Sequence, residues 1–393
     1  MVSVVVTVVM GEFFLRLVMS PPPSYEEVIA RTLESPERMF SPNRDVVYNI
    51  DGLYQGASEV SLRTSDNRFI EPEPDFPATY RVLFLGGSTT EAIYVPEDER
   101  WVALLNEPGV LAAYNAGQSG ANTLDKYFTF LYLTEEKDLH FDLVVLMTAV
   151  NDLGWHRRLS KHGGALRLSD YQDALRTWYI EEYKKNESLS KQLQQQFRLI
   201  DLMARAKRGI RRLLSDSSSD SPRSVAAHYR KQRDDALSRY GEGTIPLSQC
   251  ACCADELNEY AENARKNLTL LAEAVAATNS KLLVLSEANS HLAPAGSFYE
   301  DFRQPIRTCD EARISNQYAY TFSTDRNQKY LQAAEEAGAF TFDFASHMDA
   351  YANGPNGGQF MYDSIHYTSQ GCAEVARLLR PVLLDILMTN PEQ

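Results

Sequence analysis

Four short polar runs hold the residue types that could do chemistry. The first, Gly86-Gly87-Ser88-Thr89-Thr90-Glu91, follows directly on the apolar run YRVLFL at 80–85. Two glycines permit a tight turn and close backbone approach, and a serine just after them stands at the edge where parallel α/β sheets place their ligands. If a helix starts at Thr89, its first amides favour developing negative charge. The same serine would also serve as an ordinary helix N-cap. A Walker-type phosphate loop is excluded because no Gly-Lys-Ser/Thr follows. The second run ends a short apolar stretch at Asn115-Ala116-Gly117, and the third, Thr148–Asp152, follows LVVLM at 143–147. A glycine amide and an Asn side-chain amide beside a serine meet the needs of an oxyanion hole, although Asn-Asp is also a common turn or cap. The fourth run is Asp363-Ser364-Ile365-His366. An Asp three residues before a His can fix the imidazole tautomer and leave the other ring nitrogen to take a hydroxyl proton. On its own that spacing occurs often without function.

Alternating strands and helices are needed to bring these runs together. Strands are expected at 80–85, 113–115, 143–147, 281–285 and 339–343, and helices at 124–133, 256–277, 325–337 and 369–387, with a helical patch from Trp101. This alternation implies a parallel sheet covered on both faces. Residues 21–79 read as an irregular arm and linker, with a hairpin or extended segment at NRDVVYNIDGLYQG and a Pro-rich stretch at 71–77. Residues 154–255 interrupt the alternation and read as a helical cap. Leu189, Leu193, Phe197, Ile200 and Met203 form an apolar stripe there, and 215–224 has the composition of a disordered segment.

The chain of 393 residues is long enough for a sizeable core, and its 44% apolar and 23% charged composition is that of a globular protein. A net charge of −14 makes nucleic acid an unsuitable partner. The charge is unevenly spread: residues 157–233 carry 18 Lys and Arg against 8 Asp and Glu, a local +10, with Arg205, Lys207, Arg208, Arg211 and Arg212 clustered. Residues 1–20 include the uncharged run MVSVVVTVVM and continue to Met19 with only Glu12 and Arg16 charged, four apart so that a helix could pair them on one face. No basic residues precede the run and no cleavage site follows it, so a membrane anchor over residues 2–19 is expected rather than a cleaved signal. A Val-rich strand or buried helix in a soluble cytoplasmic enzyme is the alternative. An anchor would place the body in an extracytoplasmic space. That location suits disulfides, in which Cys309 could join Cys250, Cys252 or Cys253; unpaired thiols or a metal site are the other readings of those cysteines.

Taken together, GGSTTE, NAGQSG, AVND and DSIH resemble the SGNH/GDSL hydrolase superfamily, in its G-G-S-T branch, from about Tyr80 to Leu387. The N-terminal segment is similar to that of bacterial membrane-tethered members. Gly87 stands where the family's G-D-S has Asp, and Ala149 where G-x-N-D has Gly; neither change removes a reacting group. The resemblance implies a three-layer α/β/α sandwich with a five-stranded, flavodoxin-like parallel sheet over 80–390. It implies Ser88 as nucleophile, His366 as general base and acid, and Asp363 as its partner, with the amides of Ser88 and Gly117 and the Asn151 side chain as oxyanion hole. It implies no cofactor and no metal. The expected activity is ester hydrolysis through an acyl-enzyme, with short acyl groups removed from a glycan, or a lipid-like ester as the rival substrate. An O-acyltransferase and a non-catalytic glycan-binding or assembly protein are the alternatives. The oligomeric state is left open.

Overall fold

The computed structural model describes residues 39–160, 224–240, 250, 253–294, 296–298, 302 and 314–389. The N-terminal apolar segment, the stripe at 189–203, the basic cluster at 205–212 and Cys309 lie outside the described residues. Among the described residues, no helix is long and apolar enough to cross a membrane.

The arm opens with an antiparallel ribbon of β1 (Asp45–Asn49) and β2 (Glu59–Arg63). Next come β3 (Tyr80–Gly86), a one-turn helix α1 (Ser88–Glu91), α2 (Trp101–Leu104) and β4 (Leu111–Gly117). Helix α3 (Thr123–Leu131) leads to β5 (Leu143–Met147) and α4 (Ala149–Ser160). After the insertion, which includes α5 (Val225–Tyr240), come α6 (Cys253–Ala277) and β6 (Lys281–Leu285). The chain closes with α7 (Asn316–Glu336), β7 (Phe340–Phe342), α8 (Phe344–Ala352), α9 (Gly357–Phe360) and α10 (Ser369–Met388).

The five strands β4-β3-β5-β6-β7 pair in parallel in that order. This is the flavodoxin-like order 2-1-3-4-5 anticipated from the motifs. Alternate residues of one strand feed two cores. Leu83 and Leu85 pack with residues of α3, α6 and α7, whereas Val82 and Phe84 pack with those of α2, α8 and α10. Period-two alternation with apolar residues on both faces is what a sheet between two helical layers requires.

Gly86 lies in register with Gly117 on one side and Met147 on the other. The connections out of β3 and β5 leave in opposite directions, so the carboxyl ends of these two central strands form the topological switch point, where open sheets leave a crevice. A Cβ on Gly86 would lie 2.0 Å from Thr90 Oγ1 and 2.8 Å from the Met147 carbonyl, so the turn into α1 can be this tight only with glycine there.

Several elements differ in extent from the sequence reading. Helix α7 begins nine residues before Asp325, capped by Ser315, whose hydroxyl accepts from the Tyr318 amide. Its first turns, NQYAYTFST, are rich in residues of β propensity, and burial of Ala319, Phe322 and Ser323 overrides that preference. Helix α3 is set by a capping box between Asn122 and Asp125 and passes into a π turn at Tyr132–Glu136. The arm is more than a tether. Phe69 is fully buried in the core, and the Ile70 amide donates to Asn115 O on edge strand β4 at 2.9 Å. The buried Arg100 guanidinium holds the arm through Ser61 O and Glu71 O. Cys250 is bonded to Cys253 at the start of α6, and Cys372 is a buried free thiol.

Candidate active site

Ser88, His366 and Asp363 are 278 residues apart at the extremes, yet their side chains form one chain of hydrogen bonds. Ser88 Oγ is 2.7 Å from His366 Nε2, and His366 Nδ1 is 2.6 Å from Asp363 Oδ2. Ser88 owes its place to the Gly86-Gly87 turn at the end of β3. Asp363 and His366 lie on a bend between α9 and α10, closed by the Tyr362 amide donating to His366 O at 3.0 Å. Asp363 Oδ1 accepts from the amides of Ile365 at 2.9 Å and His366 at 2.8 Å, so the carboxylate is fixed at both oxygens.

The His366 and Asp363 side chains are 16% and 6% exposed. Burial alone would raise the Asp363 carboxyl and lower the His366 imidazole. For both, the opposing effect of the partner wins: Asp363 is held below the usual carboxylate range and His366 above the usual imidazole value. Tyr362 stacks on the imidazole at 5.5 Å and 8°, and Tyr229 of α5 meets it edge-on at 6.4 Å and 89°. Tyr54 of the arm stacks on Tyr362, and Phe302 and Tyr94 both abut Tyr229. Arm and insertion thus meet beside the histidine.

The oxyanion side differs in one respect from the sequence expectation. Gly117 N–H donates to Asn115 Oδ1 at 3.0 Å, and a Cβ on Gly117 would lie 2.4 Å from Glu91 N. Gly117 is therefore packed against the back of α1 with its amide spent. Three residues on, Gly120 has φ +74, open space where a Cβ would stand, and an amide with no acceptor among the described residues. Trp155 Nε1 donates to Gly120 O at 2.8 Å, and Asn151 Nδ2 donates to Ala121 O at 2.9 Å, which seats this turn against α4. The Ser88 amide opens α1 and has no backbone acceptor among the described residues. A Cβ on Gly87 would lie 2.0 Å from Asn151 Nδ2. Glycine at position 87 thus makes room for the Asn151 amide.

Sequence reasoning also passed over a set of buried acids. Asp152 accepts from Thr123 N at 3.0 Å, Thr123 Oγ1 at 2.7 Å and Thr148 Oγ1 at 2.9 Å, and burial pushes its carboxyl up to about 6. Glu287, just beyond β6, accepts from Thr89 Oγ1 at 3.2 Å and from the Val150 amide, and burial raises it despite the nearby Arg326. Glu91 accepts from Ser119 Oγ and is pushed up to about 7 by burial. The sequence held a signal for Asp152, in Asn-Asp after a buried strand. It held none for Glu287, an isolated carboxylate in a loop. No group of acidic, His or Cys side chains suited to a metal ion occurs among the described residues. A polar cleft of about 380 Å³ is lined by Tyr54, Ser297, Gln359 and Gln370 and by no triad residue.

No family model matches the chain, and no curated protein matches it in sequence. Solved structures do resemble it. An acetylxylan esterase from Geobacillus stearothermophilus is 12% identical with a TM-score of 0.36, over 81% of this chain and 98% of its own. Phospholipase A1 from Streptomyces albidoflavus NA297 is 14% identical with a TM-score of 0.38, over 78% and 99%. A lipase/acylhydrolase from Enterococcus faecalis is 13% identical with a TM-score of 0.35, over 80% and 100%.

Proposed function

We propose that the protein is a serine esterase working through an acyl-enzyme. The observation that carries this reading is the continuous Ser88–His366–Asp363 chain, at 2.7 and 2.6 Å, set at the switch point of the sheet. His366 Nε2 takes the Ser88 Oγ proton as Oγ bonds to the ester carbonyl carbon. Asp363 holds Nδ1–H and stabilises the imidazolium that forms. The carbonyl oxygen, now carrying the charge, meets the Ser88 amide, the second Nδ2 hydrogen of Asn151 and the Gly120 amide, which replaces that of Gly117. Collapse breaks the carbon–oxygen bond to the alcohol, which leaves with the proton from His366. Water then repeats the sequence and releases the acid and free Ser88. Short acyl groups on a glycan are the proposed substrate, and a lipid-like ester is the rival.

Turnover of p-nitrophenyl acetate tests the reading. Ser88→Ala should lower it by several orders of magnitude with an unchanged melting temperature. An alkyl phosphonate should label wild type once, on Ser88. A variant retaining more than about a tenth of the wild-type rate would remove Ser88 from the mechanism. Adding a glycan acceptor separates the alternatives: transfer of acetyl to sugar in preference to water would make the protein an acyltransferase.

A further inference from the structure

The serine and the loop that bonds to the turn carrying it come from different parts of the chain. Ser88 and Glu91 are the first and last residues of α1, while Ser119 and Gly120 belong to the loop after β4. Main-chain bonds already bring this loop close: Gln118 N–H donates to Gly86 O at 3.0 Å. The Asn115 side chain adds a link, with Nδ2 donating to Thr90 O at 3.1 Å while its Oδ1 takes the Gly117 amide. Beyond Gln118 the loop turns outward. Ser119 is exposed and Gly120 is in the left-handed region.

The carboxylate of Glu91 reaches this outward part. Glu91 is 2% exposed, yet its carboxylate accepts from the hydroxyl and from the main-chain N–H of exposed Ser119. A buried carboxylate is a costly way to hold a surface serine, and a core residue of similar volume would pack α1 without that cost. What the carboxylate adds is direction: a charge-assisted bond fixes Ser119, and with it the peptide between Ser119 and Gly120, relative to the helix that bears Ser88. Lys126 of α3, with Nζ donating to Ala116 O at 2.8 Å, lies near enough to ease the burial of the negative charge.

We propose that Glu91 is a positioning residue that, through Ser119, registers the Gly120 amide against Ser88, so that the oxyanion site is set from the same helical turn as the nucleophile. This rests on the esterase reading and adds to it a reason for an acid at the end of the GGSTTE run. Glu91 makes no hydrogen bond to Ser88 or His366 among the described residues, although its charge is one of those that hold the His366 imidazole above its usual value. Its effect should therefore appear where charge develops in the transition state and not in ground-state binding.

Ser119→Ala is the informative variant, because an exposed hydroxyl can be removed without loss of packing. It should lower kcat about tenfold, leave KM within about twofold, and weaken a boronic acid that mimics the tetrahedral adduct by the same factor as kcat/KM. Ser119→Thr and Glu91→Gln, which keep a hydroxyl donor and a carbonyl acceptor, should each stay within about threefold of wild type. The double variant Ser119→Ala/Glu91→Gln should be no slower than Ser119→Ala alone, since both changes act on one contact. An unchanged kcat in Ser119→Ala, or a loss confined to melting temperature, overturns the proposal, as does an additive double loss. If turnover is abolished by Ser88→Ala while Ser119→Ala is normal, the esterase reading stands and only the role of Glu91 falls. Turnover that survives Ser88→Ala overturns both.

Discussion

His366 sets the pH response of the site, and its direction follows from its neighbours. The imidazole must be neutral to take the serine proton, and Asp363 holds its pKa above the ordinary 6.5. Activity should rise with pH through a midpoint above 6.5. Asp363→Asn should move that midpoint down and lower kcat by about 10²–10⁴-fold, because Asn favours the wrong tautomer and leaves the imidazolium unsupported. A kcat/KM–pH profile of both proteins checks this, and an unmoved midpoint would detach Asp363 from His366. Asn151→Ala should lower kcat about 10²–10³-fold with little change in KM, as expected for a donor that meets charge only in the transition state. Steady-state kinetics on p-nitrophenyl acetate would show it, and a change confined to KM would make Asn151 a substrate contact. The positions of Ser88 and Asn151 were legible because each follows a buried strand, and those of Asp363 and His366 because their spacing stands just before the closing helix. Gly120 was not: Gly117 ends the strand, and nothing in the spacing says that the Asn115 side chain will take its amide.

At the scale of elements, the turn from β3 into α1 is the most tightly specified part of the fold. Gly87→Ala places a Cβ where Asn151 Nδ2 now sits, 2.0 Å away. Because that group is the end of a side chain, the fold should survive and the amide should move. The expected result is a kcat loss of at least about tenfold with a small change in melting temperature. Gly86→Ala meets the backbone oxygen of Met147 and should instead cost stability; thermal melts of the two variants should separate them. The strands were readable as continuous apolar runs. The start of α7 was not, because NQYAYTFST reads as strand until its burial is known. The arm reads as irregular because its buried residues, Leu53, Val60, Leu62 and Phe69, follow no long period. The disulfide joins Cys250 to Cys253, neighbours among the candidates, and a cluster of closely spaced cysteines does not by its spacing choose a pair.

For the whole molecule, activity and stability should respond to pH in opposite senses. Burial raises Glu91 to about 7 and Asp152 to about 6, and it raises Glu287 as well. A carboxyl whose pKa is raised on folding contributes stability that is full below its unfolded value and is lost as pH rises to its folded one. His366, also raised, acts in the same direction above 6.5, while Asp363, lowered, loses its contribution only at strongly acidic pH. Melting temperature should therefore fall between about pH 4.5 and 7, while activity grows through a midpoint above 6.5. Melts at intervals across that range check it, and a rising trend would show that these acids are solvated. Glu91→Gln should flatten the upper part of the slope.

The bond between Ser88 Oγ and His366 Nε2 spans 278 positions of sequence, most of the polypeptide. During synthesis the nucleophile, its turn and three strands of the sheet leave the ribosome long before the base exists. A chain halted anywhere before Asp363 carries a serine with nothing to deprotonate it. On the proposed mechanism, neither a nascent chain halted before His366 nor one clipped before it could cleave an ester, whatever part of the sheet it has already assembled.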